Sequence, residues 1–440
     1  MRIIVVMVAL LQATAASADL RAGVARVDIT PAGSMALYGY ANRPCGPVST
    51  GTHDPLHAKV LVLESAGTRL AIVTLDLGSM LSERLRRDVG SRLGIPVLLQ
   101  AASHTHAAPA FLREDSNPQA RASAQAYLAE LEAKVFDAVD AASRAMTPVT
   151  LSVARSSLQL GYNRLLPGKG GRARTLFDNL ERIPYGPVDP ELVVLRVDRV
   201  PSAGAAAAPD STDDSGSPLA LLVHYATHPV VLGPTNCKFS ADFPGVLQAE
   251  VEAALPGSQV MFVQGGAGDI NPIFMARSSD EARDFGVVQK MGATLAAEVV
   301  DATRRAAAVP RGTPGIASRS EIVTVKDRWD AARTIDIGIT TVLIDGTVAI
   351  ATFPGEVMHR LQLAWKARAE VAVPLFYGYT YSAGGDLAGY VPDLRSAAHG
   401  GYGADTDTRV EVGTGERLVE RHLINLYALQ GMWVEKTRAP

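Results

Sequence analysis

The sequence predicts a mixed α/β fold: mixed β-sheets flanked by helices, in a single large domain. Two observations carry the fold class. Short segments of strand length, alternating or wholly apolar, recur along the chain, and three longer segments read as helices. A third observation bears on chemistry. Two strong strand segments run directly into paired histidines, Ser-His-Thr-His at 103–106 and His-Tyr-Ala-Thr-His at 224–228.

Residues 1–18 read as an export signal. Arg2 supplies a positive start, an apolar stretch runs from Ile3 to about Leu11, and Ala16-Ser17-Ala18 is a small-x-small cleavage site. The apolar run is too short to span a bilayer. The expected product is residues 19–440, one domain exported to a periplasm or to the exterior. From Ala22 to Thr30, Val24, Arg26 and Asp28 alternate with Ala25, Val27 and Ile29, as in a half-buried strand that Pro31 and Gly33 end. Lys59 to Leu63 and Arg69 to Leu77, split by Ser65-Ala66-Gly67, read as a hairpin. Val97 to Ala101 is a strand that leads into the first histidine pair. Ser123 to Arg144 is Ala- and Glu-rich at helical spacing, and Val149 to Leu160 returns to strand. Leu192 to Val200 and Leu219 to Tyr225 read as one hairpin around a polar loop, Ser202 to Pro218. Gln259 to Gln264 is a strand ending in a glycine-rich turn, and Glu281 to Ala308 a long helix. Ile335 to Thr352 holds two strands, and Leu418 to Trp433 a closing helix.

A formal net charge of −3, with no basic run, gives no electrostatic case for nucleic acid. The two cysteines, Cys45 and Cys237, cannot build a four-cysteine structural zinc site, and the reading favours two separate buried thiols over a pair. A metal would therefore rest on His, Asp, Glu or Tyr. Four of the nine histidines lie in the two pairs. His104 and His106 are two apart at a strand end, a spacing that puts both on one face, and His224 and His228 share parity if their strand continues. Imidazole is the commonest protein metal ligand, and catalytic zinc keeps one position open. Polar decoration of a strand end is the competing reading.

Three further segments have two readings each. Glu356, in Phe353-Pro354-Gly355-Glu356, is a carboxylate after a strand and turn. With His359 three residues on it would share a helix face, or simply favour a helix start. Gly265-Gly266-Ala267-Gly268-Asp269-Ile270-Asn271-Pro272 could bring backbone N–H groups to an oxyanion, or be a tight connection, and it lacks a P-loop lysine. Tyr379, Tyr381, Tyr390 and Tyr402 lie in glycine-rich loops, where a phenol can reach a cleft or just be buried against its neighbours.

Taken in order, these segments resemble the neutral (non-lysosomal) ceramidase family. The likeness runs from Val24–Thr30 and Tyr38-Gly39-Tyr40 through Leu75-Asp76-Leu77-Gly78, His104-Thr105-His106, Asn163-Arg164, Ala226-Thr227-His228-Pro229 and Gly268-Asp269-Ile270-Asn271-Pro272. It ends at Gly355-Glu356, Gly389-Tyr390-Val391 and Gly401-Tyr402. The resemblance implies a Zn2+ ion held by His104, His228, Glu356 and Tyr390. It implies that His106, Arg164 and Tyr402 contact the scissile amide or its products. Asp76 could orient a ligand from behind, and His224 would support the site. Two features depart from the family. Asn271 stands where the family has a serine implicated in activity, and nothing up to Trp433 and the few residues beyond reads as the family's immunoglobulin-like domain. Both bear on the substrate and neither on the metal.

The expected activity is zinc-dependent hydrolysis of the amide of ceramide or a related N-acyl lipid, at or near a membrane surface. Two alternatives stay open. One is a metal-dependent amide or ester hydrolase for a different small substrate. The other is an exported binding protein that keeps the fold without catalysis. Oligomeric state is not legible.

Overall fold

The computed structural model describes residues 20–41, 43–111, 117–200, 218–278 and 280–432. The expected export segment, the loop at 201–217 and Trp433 lie outside the described residues. Pro218 opens the strand Pro218–Tyr225.

Period-two alternation builds the architecture. In His57–Ser65, Val60 and Val62 enter one core while Leu61 and Leu63 enter another. In Thr68–Leu75, Ala71 and Val73 are divided from Leu70 and Ile72 in the same way. Both faces are apolar because both are covered, which is why these segments read as continuous apolar runs. A ten-stranded sheet results. Its order is Gln259–Gln264, Pro218–Tyr225, Glu191–Arg199, Thr147–Ser157, Arg21–Asp28, His57–Ser65, Thr68–Leu75, Val97–Ala102 and Thr380–Tyr381, with Ala307–Ala308 beside Thr147–Ser157. The two expected hairpins are both present as antiparallel pairs.

A second sheet joins Ile316–Lys326, Thr334–Ile344, Val348–Thr352 and Val373–Tyr377. It packs on the first through Val342, Ile344, Val348, Ile350 and Leu375, which share a core with Leu61, Ile72 and Leu222. The helices Glu83–Leu93 and Pro118–Arg144 cover one part of the first sheet's outer face, and Asp242–Ala254 and Glu281–Thr303 cover another. His359–Arg368 and Thr414–Leu429 cover the outer face of the second sheet. The molecule is thus helix on sheet on sheet on helix, a mixed α/β domain as expected. Among the described residues no helix is long and apolar enough to cross a membrane.

Three expectations are corrected. The helix expected over 281–308 ends at Thr303, and Ala307 and Ala308 pair with Val153 and Ser152 instead. Pro310 disfavours helical backbone in the residue before it. The closing helix spans Thr414–Leu429, four residues ahead of its expected start. Cys45 and Cys237 are not separate thiols: they form a disulfide with Cα atoms 6.0 Å apart across a sequence separation of 192. Loop-closure entropy alone would make such a cross-link worth about 5 kcal/mol. Glu83–Leu93 was legible but unread: Ser82 caps it by accepting from Leu85 N, and Gly94 ends it at φ 66.

Candidate metal centre

Two parallel strand pairs position the site, Thr68–Leu75 with Val97–Ala102 and Pro218–Tyr225 with Gln259–Gln264. They stand near opposite ends of the sheet order, yet the chain beyond their carboxyl ends meets. Gln264 ties it together. Its Oε1 accepts from Thr227 N at 3.1 Å, and its Nε2 donates to Ser103 O at 3.2 Å and Thr227 O at 2.8 Å. The buried amide thereby joins the two histidine segments.

Strand parity is not what aligns the histidines. Val97–Ala102 has already ended, and His104 sits at φ 71 in the left-handed region. Pro218–Tyr225 ends before His228. His224 faces away, with Nε2 2.6 Å from Phe376 O, and lies under Gly265, where an added Cβ would come within 3.1 Å of it. The second pair is therefore split between one site residue and one supporting residue.

His104 Nδ1 donates to Gly78 O at 2.6 Å, and His228 Nδ1 donates to Ala267 O at 2.6 Å. Each carbonyl fixes the proton on Nδ1 and leaves Nε2 as a lone pair. Both lone pairs converge on Glu356 Oε2, at 3.2 Å from His104 and 3.1 Å from His228. Three acceptors that close in a buried place repel one another unless a proton or cation stands between them. Burial pushes His228 down to about 4, so its ring is neutral and its Nε2 is free to bind a cation. The set is two imidazole Nε2 atoms and one carboxylate, the His2Glu chemistry of an open catalytic metal site. The carbonyls behind the rings complete the usual second layer of such a site, and the donors fit a divalent cation.

Metal-ligating geometry also groups His104, His106 and His228, whose ring nitrogens lie within 4.8 Å of one another. His106 Nε2 is 3.3 Å from His104 Nε2, but its Nδ1 is buried without a partner among the described residues. Without a carbonyl to fix its tautomer, His106 is the least committed of the three, and burial pushes it well below the ordinary imidazole value. Gly39, at φ 89, lets the backbone pass beside this ring, since a Cβ there would sit 2.2 Å from His106 Nδ1.

Glu356 does not share a helix face with His359. Glu356–Val357 is a two-residue strand parallel to Tyr390–Val391, with Glu356 opposite Tyr390, and the helix begins only at His359. This pairing brings Glu356 and Tyr390 together from 34 residues apart. Gly268 permits it, because a Cβ there would meet Glu356 O at 2.4 Å. Tyr390 and Tyr402 are in edge contact at 5.4 Å, and the buried Arg164 guanidinium lies 5.4 and 5.0 Å from their ring centroids. Burial pushes the Tyr390 phenol well above its ordinary value, and its oxygen accepts a hydrogen bond from Arg164. Arg164 also donates to Gly268 O at 2.7 Å and to Asn271 Oδ1 at 3.2 Å. Asn271 Nδ2 donates to Phe177 O at 3.3 Å, so this amide holds Arg164 in place.

Asp76 does not orient His104. Its oxygens accept from His57 N at 2.9 Å and Gln248 Nε2 at 3.2 Å, and burial pushes it up to about 6. Gly78, two residues on, performs the orienting. Tyr379, for which the sequence leaves cleft and packing readings open, lies with its ring tilted over His104 at 4.3 Å. Its buried hydroxyl has no hydrogen-bond partner among the described residues. The backbone sits at φ 54, unusual for a bulky residue and a signal of function that only coordinates reveal. A cavity of about 340 Å³ opens beside the centre. His106, Glu356, Tyr390 and Tyr402 line it together with Leu37, Phe111 and Leu387.

The sequence profile described as "Neutral/alkaline non-lysosomal ceramidase, N-terminal" matches residues 20–285. Among solved structures, a ceramidase complexed with C2 superposes with a TM-score of 0.72 at 15% identity, over 96% of this chain and 77% of that one. The neutral ceramidase from Pseudomonas aeruginosa gives 0.72 at 16% identity, over 96% and 76%. At these identities the likeness establishes the fold, and it extends over Glu356, Tyr390 and Tyr402, which the profile does not reach.

Proposed function

The chain belongs to the neutral/alkaline non-lysosomal ceramidase family, and from that premise we propose that it is an exported, zinc-dependent hydrolase of the amide bond of ceramide or a related N-acyl lipid. The observation that carries this reading is the convergence of His104 Nε2, His228 Nε2 and Glu356 Oε2 beside a cavity with one apolar wall. His104, His228 and Glu356 would hold the zinc, with Tyr390 as the fourth donor. Bound zinc lowers the pKa of water and polarises a carbonyl.

The chain's own groups fit the remaining tasks. His106 is buried and neutral, so its free nitrogen can take a proton from the attacking water and return it to the leaving amine. Tyr402 lines the cavity and can donate to the developing oxyanion. Arg164 is fixed by Gly268 and Asn271 and lies against both phenols. From there it orients Tyr390 and Tyr402 and can meet a polar head group. Leu37, Phe111 and Leu387 offer the acyl chain an apolar wall. The substrate is a sphingolipid or similar lipid, so the mouth of the cavity would work at a membrane surface. The Cys45–Cys237 disulfide accords with an oxidising compartment outside the cytoplasm.

A second reading, a smaller amide or ester substrate, draws support from the cavity. Its volume of about 340 Å³ lies near the lower end of the roughly 300–1,000 Å³ of small-molecule sites. One experiment separates the two: hydrolysis of N-acyl sphingosines of graded acyl length and of simple amides and esters, with and without a chelator. Chelator-sensitive turnover of the ceramides supports the first reading. Turnover of simple esters or amides alone supports the second. Undiminished activity in metal-free protein would sink both.

A further inference from the structure

A second cavity, of about 230 Å³, shares no lining residue with the one beside the metal centre. His359, Arg360, Arg395 and His399 line it, and no carboxylate does. Arg360 and Arg395 make no ion pair among the described residues, and the rest of the lining is neutral. A cavity with cations on its wall and no counter-charge attracts an anion.

His359 gives this cavity a built donor. The residue is 1% exposed. Its Nδ1 donates to Asp269 Oδ2 at 2.7 Å, while Asp269 Oδ1 accepts from His359 N at 3.0 Å. Asn163 Nδ2 donates to the same Oδ2 at 2.8 Å, so the carboxylate is fully held. Nδ1 is turned to Asp269 and the residue lines the cavity, which leaves Nε2 as its one uncommitted nitrogen. That nitrogen is buried and has no hydrogen-bond partner among the described residues. A buried polar nitrogen without a partner is costly and rare, and on a residue that lines a cavity it marks a place for a ligand atom. Burial works against charge on the ring, but Asp269 outweighs it and raises the imidazole above its ordinary value. The Asp269 carboxylate thereby favours a proton on both ring nitrogens, which lets Nε2 donate.

We propose that the cavity lined by His359, Arg360 and Arg395 binds a small phosphate-class oxyanion, free or carried as a monoester. Buried His359 would donate through Nε2 to one oxygen. The two guanidiniums would supply charge-assisted bonds to the others, the arrangement that suits arginine to phosphate. His399 is already engaged through Nδ1 with Gly171 O at 2.6 Å and would close the rim.

The test is isothermal titration of the full, metal-loaded chain with inorganic phosphate and, separately, glycerol 3-phosphate at low salt. The variants are Arg395→Gln, at an exposed position that lines no part of the metal cavity, and His359→Gln. Circular dichroism checks that each is folded. The expected result is saturable binding to wild type that weakens about tenfold or more in Arg395→Gln. Binding of the ester but not the free ion would still support the site and would identify its ligand as a monoester. Equal affinity in wild type and Arg395→Gln would mean that the phosphate binds elsewhere and would overturn the proposal. So would the absence of saturable binding by both probes.

Discussion

Glu356 and His359 stand three residues apart, and each belongs to a buried pairing of carboxylate with imidazole, but the two pairings are wired in opposite senses. Around Glu356, each histidine turns its Nδ1 proton to a backbone carbonyl and its Nε2 lone pair to the carboxylate. At His359 the carboxylate of Asp269 takes the Nδ1 side, and Nε2 is left over. The first arrangement leaves acceptors facing acceptors and calls for a cation. The second turns the acid to Nδ1 and leaves Nε2 unpartnered on a cavity wall with two guanidiniums that make no ion pair among the described residues, which suits an anion. The same two residue types thus produce opposite polarity, and the difference lies in which ring nitrogen meets the acid. A nearby backbone carbonyl decides that for His104 and His228, and the Gly268–Asn271 turn decides it for His359.

The largest effects should come from the cation side. His228→Ala or Glu356→Gln should leave purified protein without stoichiometric metal and lower kcat/KM on a ceramide substrate by about 10³-fold or more. Metal retained in Glu356→Gln at wild-type stoichiometry would break the comparison, because the carboxylate would not be what makes this pairing a cation site. Asp269→Asn attacks the other pairing. It leaves a buried imidazole without its counter-charge and should cost about 3 kcal/mol in urea unfolding with metal content unchanged. Tyr379→Phe removes only the unpartnered hydroxyl beside His104. We expect kcat to fall about tenfold at unchanged metal content, and an unchanged kcat would show the phenol to be mere cover.

The smallest effects are in pH dependence, and they differ in sign. Burial pushes His224 down to about 4 and His422 to about 3. The unfolded forms titrate near the ordinary value of about 6.5. Between these values the unfolded chain binds more protons. The stability these residues supply is therefore full above about pH 6.5 and is lost as pH falls toward the folded values. Asp269 raises His359, so its contribution is full below about pH 6.5 and is lost as pH rises through its folded value. The urea midpoint of the wild type should fall from about pH 7 to about pH 5. His359→Gln should lose more stability at about pH 6 than at about pH 9, and the reverse order would contradict the Asp269 pairing.

Much of the fold could be read directly. Alternation and apolar runs gave the hairpins at Lys59–Leu77 and Leu192–Tyr225 because strand parity is a local property of the chain. Both histidine segments were visible as chemistry after strands, but the reason offered for their geometry, shared strand parity, fails at His104 and at His228. Glu356 and Tyr390 could be chosen only through the family resemblance, since no local pattern distinguishes them from a helix-start acid and a packed phenol.

By itself, then, the sequence determined the mixed α/β class and the two histidine motifs, both of which depend on residue type and short-range period. The tertiary structure alone decided that Cys45 meets Cys237 and that Gly78 rather than Asp76 orients a ring, and it alone supplied the geometry that brings His228 to His104 and Glu356 to Tyr390, a grouping that only the family resemblance had implied. Each of these is a contact between residues far apart in the chain. Its geometry depends on how two sheets and their loops close on one another, and no spacing along the sequence encodes that closure.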